Sequence, residues 1–557
     1  MTSQESRRNE FKDVLKDHDF SERFLEYLLN LEFLKNAVDL EAFLNPSWEQ
    51  LHDPFLLKDM QLAVEHCLKA LKAKKKIMVF GDFDVDGLTG ASVLYWGLRK
   101  LNPEARPLVY LPDRFQEGHG LNTEVIKEAL KENVSLIITA DCGMGNEEEI
   151  AFAKENGIQV IVTDHHMAEN HLQSALAVVN PWLENYPFPN LSGSGVAFKF
   201  ILAMAQTKAG KDSNLYNSIR DALVVYAAMG TVADMVSLHG ENRVLVKIGL
   251  ERMMDSPMPF LKDYWKPKTL KVNLGETFTE EHISFQLAPR LNSASRLEHA
   301  QPAFDFLTGV KREYVFQKGN YLDSLNQQRR ERMQSLKHSS SLKILSQEED
   351  PFYIVDTQSQ ERGLLGLLAS SYVQAEKKPV IVLGRTPEGR FCASARSNNK
   401  VHLHESLSRM SQLFDKFGGH RDAAGFQMGE EQIPEFLGLI QKNAVESVAK
   451  EKLSHHLELD ASEFQEQLVR EQLRLGPFGV GVPKPIVKIV NPSFRQIRRV
   501  GANGSTLSFQ MDAGGQSVRG IGFSHAHMIE ELENLNTIRV MAGYNYFREK
   551  ELQIRLV

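Results

Sequence analysis

Cysteine is nearly absent: Cys67, Cys142 and Cys392 are the only three in 557 residues. An odd number this sparse excludes a disulfide framework, and the lack of CxxC spacing excludes a cysteine-ligated structural zinc. A reducing, cytoplasmic compartment is the expectation. Long apolar runs are missing too. The least polar stretch, 222–238, is interrupted by Asp234 and is too short to span a bilayer. The opening MTSQESRRNEFKDVLKDHDF lacks the apolar core of a secretory signal. Neither sign of charge dominates, since 65 Lys and Arg against 72 Asp and Glu leave a formal charge of −7. That balance excludes a uniform cationic coat and leaves room for a local basic groove.

What is present is ordinary globular material, with 42% hydrophobic and 25% charged residues. At this length it suggests about three or four folded units. From Ile77 onward, short β-branched runs alternate with helix-like stretches: IMVF at 77–80, LVYL at 108–111, SLIITA at 135–140 and IQVIVT at 158–163. This is the pattern of repeated βαβ units, so the fold class is α/β with a parallel sheet. A second, smaller α/β pattern begins near Pro351, with FYIV followed by PVIVL at 379–383. Between the two, 311–343 carries eight basic and three acidic residues and no proline, which predicts a long, mostly exposed connecting helix. Beyond about residue 455 the runs PIVKIV, STLSFQM, TIRVMAGY and ELQIRLV are separated by turns and predict a small β-barrel.

In such sheets chemistry gathers beyond the carboxyl ends of the strands. Directly after IMVF comes GDFDVDG at 81–87, before a helix expected near Thr89. Asp82 and Asp84 straddle Phe83, so an extended segment would point both carboxylates to one side. Asp141 follows SLIITA, and Asp164, His165 and His166 follow IQVIVT, while DALVVYAAMGTVA ends at Asp234. Carboxylates collected at one sheet edge repel one another unless cations compensate. Two divalent ions would balance the four charges of Asp82, Asp84, Asp141 and Asp234. Carboxylate with imidazole suits Mn²⁺ or Mg²⁺, and two such ions about 4 Å apart suit phosphoester hydrolysis.

With Asp164-His165-His166 in place, the sequence resembles the DHH phosphoesterase superfamily. The segments GDFDVDGLTG, ADCG at 140–143 and GTVADMVSL at 230–238, followed by Asn242 and Arg243, are similar to its other motifs, in order. APRLNSASR at 288–296, ASARS at 393–397, FGGHRDAAGF at 417–426 and PFGVGVPKP at 477–485 resemble the RecJ branch, single-strand-specific 5′→3′ exonucleases of DNA repair and recombination. The resemblance covers about residue 50 to the end. It implies an amino-terminal helical segment (1–50), a DHH catalytic domain (51–310), a connecting helix (311–348), a DHHA1 domain (349–450) and an OB-fold (451–557). It also implies that Asp82, Asp84, Asp141, His165, His166 and Asp234 form a site for two Mn²⁺ or Mg²⁺ ions. Substrate phosphates would fall to Arg290, Asn292, Arg296, Ser394, Arg396, Gly418, Gly419 and His420. Expected partners are single-stranded DNA, single-strand-binding protein and a helicase.

The sequence departs from the RecJ pattern at Ser295, where Gly is usual, at Gln360-Glu361, where a Trp-His pair is usual, and at Val482-Pro483, where Asn-Pro is usual. None touches an expected metal ligand, whereas Glu361 places negative charge near the expected strand path. Lys484, Lys488, Arg495, Arg498 and Arg499 occur between 484 and 500 with no acidic residue, as a groove tracking a phosphate backbone requires. Tyr544, Tyr546 and Phe547 are candidates for stacking on bases or for the barrel core. Two other readings stay open. One is a DHH phosphodiesterase of short oligonucleotides or cyclic dinucleotides, and the other is a non-catalytic single-strand-binding relative.

Overall fold

Three of the four apolar runs before residue 166 are strands buried on both faces, as a parallel sheet covered by helices demands, and the LVY run is the half-buried edge strand beside them. In the computed structural model, which describes residues 3–167, 172–398, 400–445, 456–501, 504–546 and 549–557, they are β1 (Ile77–Gly81), β2 (Leu108–Tyr110), β3 (Leu136–Ala140) and β4 (Gln159–Thr163). A short fifth strand, β5 (Ala177–Val179), completes an all-parallel sheet of order β2-β1-β3-β4-β5. The helix after β1 begins at Val85 rather than near Thr89 and runs to Leu101. It packs against the helices Gly193–Ala209 and Asn214–Ala233, all three largely buried.

The chain divides into two units. The first comprises Met1–Leu291, Ala300–Gly319 and Leu453–Val557, and the second Asn292–His299 and Asn320–Lys452. The amino-terminal helices, the parallel sheet and the carboxyl-terminal strands therefore belong to one unit. Within it, Tyr27 is fully buried and its hydroxyl donates to Pro483 O at 2.9 Å.

The carboxyl-terminal strands β12 (Leu457–Asp460), β13 (Val487–Val490), β14 (Ser493–Val500), β15 (Thr506–Ala513), β16 (Gln516–Gly522), β17 (Thr537–Asn545) and β18 (Glu551–Leu556) form one sheet. Numbered β6 to β11, the remaining strands lie in the second unit. The carboxyl-terminal order is β12-β13-β17-β18-β16-β15-β14. The apolar runs expected there are β13, β15, β17 and β18. In addition, β14 is an exposed edge strand, broken by a bulge between Arg495 and Arg498. Charge and a bulge are common protections of an edge.

The helix Arg312–Lys337 starts in the first unit and continues in the second. It is mostly exposed, with Val315, Leu322, Leu325 and Leu336 buried along one stripe. It stops short of residue 348, because Lys343–Ile344 already pairs as β6 with β7 (Tyr353–Asp356). The second unit continues through β8 (Val380–Arg385), β9 (Phe391–Arg396), β10 (Lys416–Gly419) and β11 (Ala423–Met428), in the order β10-β11-β9-β8-β7-β6. Alternate residues of β8 face opposite layers. Ile381 and Leu383 join Leu407 and Phe436, whereas Val380 and Val382 meet Leu365 and Leu368 of the helix Leu365–Glu376. Among the described residues, no helix is long and apolar enough to cross a membrane.

Candidate active site

The order β2-β1-β3 reverses direction between β1 and β3, so the loops leaving these two strands diverge and open a crevice at their carboxyl ends. Asp82 leaves β1 and Asp141 leaves β3, each 4% exposed. Asp84, its backbone extended, caps the helix Val85–Leu101, its Oδ1 accepting from Asp86 N at 3.0 Å and Gly87 N at 3.1 Å. The helix N-terminus thus favours a negative charge there. Gly87 is required by contact, because a Cβ on it would lie 2.5 Å from Asp82 O. Asp141 has φ 64°, an uncommon conformation for a residue other than glycine, and such strain collects at functional sites.

Three overlapping groups of potential ligands result: Asp82 with Asp84 and Asp141; Asp141 with His165 and His166; and Asp86 with His165 and Asp234. His165 Nε2 lies 3.1 Å from Asp141 Oδ1 and 3.6 Å from Asp234 Oδ2. Asp82 Oδ1, Asp141 Oδ1 and His165 Nε2 are buried without a hydrogen-bond partner among the described residues. Buried polar atoms left unpaired call for an explanation, and a cation among them supplies one.

The electrostatics agree. Burial, then the charges of Asp82 and Asp86, push Asp84 up to about 6. Burial, then Asp86 and Asp84, push Asp234 up to about 9. Asp141 is raised well above the usual carboxylate range, by burial first and then by its acidic neighbours. Burial holds the imidazole of His165 below its ordinary value. For His166, burial works against the charged form, but the hydrogen bond and charge of Asp164 outweigh it and the pKa rises to about 9.

All six expected ligands, Asp82, Asp84, Asp141, His165, His166 and Asp234, are thus brought together. Three further residues complete the site. Asp164 Oδ1 accepts from His165 N at 2.7 Å and from His166 Nδ1 at 2.8 Å, which fixes the ring with Nδ1 4.0 Å from Asp141 Oδ1. Asp86, the third acid of GDFDVDG, accepts from Gly193 N at 2.6 Å and Ser194 N at 3.0 Å, tying the motif to another helix. His119 Nδ1 lies 3.2 Å from Asp82 Oδ2, and no spacing in the sequence signals it.

The expected phosphate-binding residues fall in different places. In the second unit Ser394 on β9 pairs with Gly425 on β11, which pairs with Gly418 on β10, so the sheet carries almost no side-chain bulk along that row. Arg396 Nη1 donates to Ser394 Oγ at 3.1 Å, and a Cβ on Gly366 would lie 2.8 Å from Arg396 Nη2. Gly419 ends β10, and His420 N donates to Ala423 O. Asn292 and Arg296 belong to the same unit, where Arg296 donates to Gly363 O at 3.1 Å. Arg290 belongs to the first unit, over the ring of Trp265 and donating to Gln286 O.

At the departures, Ser295 is buried, Glu361 is held by Arg332 at 3.2 Å, and Val482 is buried in a turn with Gly479. Three cations of the 484–500 stretch are paired: Lys484 with Glu281, Lys488 with Glu458, and Arg495 with Asp512. Arg498 and Arg499 are exposed. Tyr544 is half-buried, donating to Glu466, and Tyr546 is half-buried too, so neither is a core residue, while Phe547 lies outside the described residues.

Residues 76–231 match the DHH family, N-terminal domain; 350–446 match the DHHA1 domain; and 455–557 match the RecJ OB domain. The single-stranded-DNA-specific exonuclease RecJ of Haemophilus influenzae is 30% identical over 480 residues, covering 83% of this chain and 82% of the relative. The chain belongs to the RecJ family. The RecJ of Bacillus subtilis is 33% identical over 503 residues, 89% of this chain, which spans only 62% of that relative's length. Among solved structures, Thermus thermophilus RecJ in complex with Mn²⁺ is similar at 26% identity and a TM-score of 0.77, over 99% of this chain and 77% of that one.

Proposed function

We propose that this chain is a metal-dependent exonuclease that hydrolyses single-stranded DNA from its 5′ end to 5′-mononucleotides, serving DNA repair and recombination in the cytoplasm alongside single-strand-binding protein and a helicase. The observation that carries the chemistry is Asp141 Oδ1, buried, without a hydrogen bond, and close to ligands on both sides. RecJ of Thermus thermophilus has been solved with Mn²⁺, and oxygen with imidazole donors suits Mn²⁺ or Mg²⁺ here.

Asp82, Asp84 and Asp141 would hold one ion, and Asp141, His165, His166 and Asp234 the other. When bound, two such ions supply Lewis acidity toward a phosphoryl group and a nucleophilic water at neutral pH. The protein's own work is positioning. Asp164 orients His166, the helix dipole and two backbone N–H groups fix Asp84, and Asp86 binds the GDFDVDG loop to the helix Gly193–Ala209. Asp82 and Asp141 are each 4% exposed, so solvent does little to offset their charges and a cation would do so instead.

In the second unit, the guanidinium of Arg396 and the hydroxyl of Ser394 can both donate to the oxygens of a terminal phosphate, and the glycine row lets backbone approach it. Digestion of a single strand labelled at one end or the other, with Mn²⁺ and with chelator, tests the proposal. Labelled mononucleotide should appear first from the 5′-labelled strand and only with metal. Release first from the 3′ label, or metal-independent hydrolysis, would contradict it.

A further inference from the structure

Asp234 caps the helix Asn214–Ala233, and the chain turns sharply just beyond it, with Met235 at φ 61°. A left-handed residue other than glycine persists where its surroundings over-determine it. Here the surroundings come from the far end of the chain. Leu238 N donates to Val480 O at 2.8 Å, and Gly479 and Val482 close a tight turn around that carbonyl. A Cβ on Gly479 would lie 2.7 Å from Leu238 Cδ1, so the turn sits directly on the segment that follows Asp234.

The same stretch is held by Arg243. Arg243 is 2% exposed, and its guanidinium donates to Leu475 O at 2.8 Å, Gly476 O at 3.1 Å and Pro477 O at 3.3 Å, with Nε donating to Phe43 O at 2.7 Å. It also lies 3.6 Å from the ring of Phe43. A charged fork buried among carbonyls of two distant segments costs desolvation that an ordinary core residue would avoid, and it gains directional bonds to both. Asn242, next to it, donates to Ser237 O at 3.0 Å and Asn190 O at 2.6 Å, which anchors the start of the helix Gly240–Asp255 to the same loop.

We infer that Arg243 and the 475–482 turn are positioning elements of the metal centre: they clasp the segment 235–243 and thereby set the place of Asp234. The carboxyl-terminal strands are then mechanically joined to the site and not merely tethered beside it. The inference rests on the reading of Asp234 as a metal ligand.

Metal-stripped full-length protein and its variants Arg243→Lys, Gly479→Ala and Asp234→Ala should be titrated with Mn²⁺, reading free Mn²⁺ by electron paramagnetic resonance. Thermal unfolding and the kcat and KM on a pentanucleotide are measured alongside. Gly479→Ala places a methyl 2.7 Å from Cδ1 and 3.3 Å from Cγ of Leu238, itself only 2% exposed, so the segment after Asp234 has to shift, and it keeps the test available if Arg243→Lys does not fold. Both clasp variants are expected to weaken one Mn²⁺ site at least tenfold and to lower kcat by a similar factor, with KM within twofold of wild type. Wild-type Mn²⁺ binding and kcat in folded Gly479→Ala, or a loss confined to KM, would overturn the clasp. Full Mn²⁺ binding by Asp234→Ala would overturn the metal reading beneath it.

Discussion

Nε2 of His165 lies 3.1 Å from Oδ1 of Asp141, and both atoms are buried without a hydrogen-bond partner among the described residues. Burial favours neutral His165, and with its ring N–H given to the backbone of Leu191 its Nε2 lone pair faces the carboxylate, from which it gains nothing. A shared cation makes the arrangement favourable. Asp141→Ala should therefore lower kcat about 10³-fold, roughly 4 kcal/mol of barrier, and leave affinity for long single strands within about threefold. Steady-state hydrolysis together with fluorescence anisotropy checks both halves. Activity within tenfold of wild type would remove Asp141 from the metal centre.

The same clustering sets a pH dependence. Asp84 at about 6, Asp234 at about 9 and His166 at about 9 all hold protons more tightly than in an unfolded chain. Stability from a raised group is present below its unfolded pKa and is lost as pH climbs through the folded one. All three act in one direction, so together they make the metal-free protein lose stability between about pH 4 and pH 9. Asp164, held below the usual carboxylate range, acts oppositely at the acid end, and His165, held below its ordinary value by burial, opposes them up to about pH 6.5, so the net loss is clearest above that pH. Mn²⁺ displaces these protons on binding, so the rise in Tm that it produces should be larger at pH 8 than at pH 6. Calorimetry of metal-free and Mn²⁺-loaded protein gives the answer, and a rise independent of pH would refute the assignment.

The strands that carry the site were legible because β1, β3 and β4 are nearly all apolar, and each ends in an acid. The residues that support the ligands were less so. Asp86 is visible as a third acid in GDFDVDG, but its task depends on Gly193 and Ser194, which only the folded chain brings near. Asp84 keeps the extended backbone that its spacing from Asp82 suggests, and the two carboxylates meet beside Asp141, while a helix beginning at Val85 rather than near Thr89 makes Asp84 its cap as well. His119 carries no local pattern at all, and PFGVGVPKP marks the turn at Val480 without telling what it rests on. Of the strands missed, β5 has three residues and β14 is exposed and charged, so neither presents a buried period of two. The cations of the 484–500 stretch suggest a groove for a phosphate backbone, yet three of them answer acids on neighbouring elements.

End recognition should separate from chemistry at Arg396. Its guanidinium is aligned by Ser394 Oγ and faces Gly366, where no side chain intrudes. Arg396→Ala should cost about 1.5 to 3 kcal/mol in kcat/KM on 5′-phosphorylated single strands, the scale of a hydrogen bond to a charged group. Strands with a 5′-hydroxyl should lose much less. Equal losses on both substrates would place Arg396 elsewhere along the strand.

The carboxyl-terminal sheet supplies the last test, because Arg498 and Arg519 line a polar groove of about 450 Å³ together with Gln496, Ser508 and Gln510. Arg498 is exposed, and Arg519 is only loosely paired with Glu551 at 3.8 Å. Such cations contact phosphates without reading bases, and each phosphate contact on a single strand contributes about 0.7 to the slope of log K against log salt. Arg498→Ala with Arg519→Ala should therefore weaken binding of long strands uniformly across sequences and flatten that slope by about 1.4 between 50 and 200 mM salt. Point substitutions are the cleaner tool here, since truncation would also remove the turn at Val480 and disturb the segment after Asp234. The kcat at saturating strand should hold while KM rises, because the groove lies on strands that contribute no ligand to the site. An unchanged salt slope, measured by anisotropy on a homopolymeric strand, would show that the sheet's cations serve the fold and that DNA runs along another face.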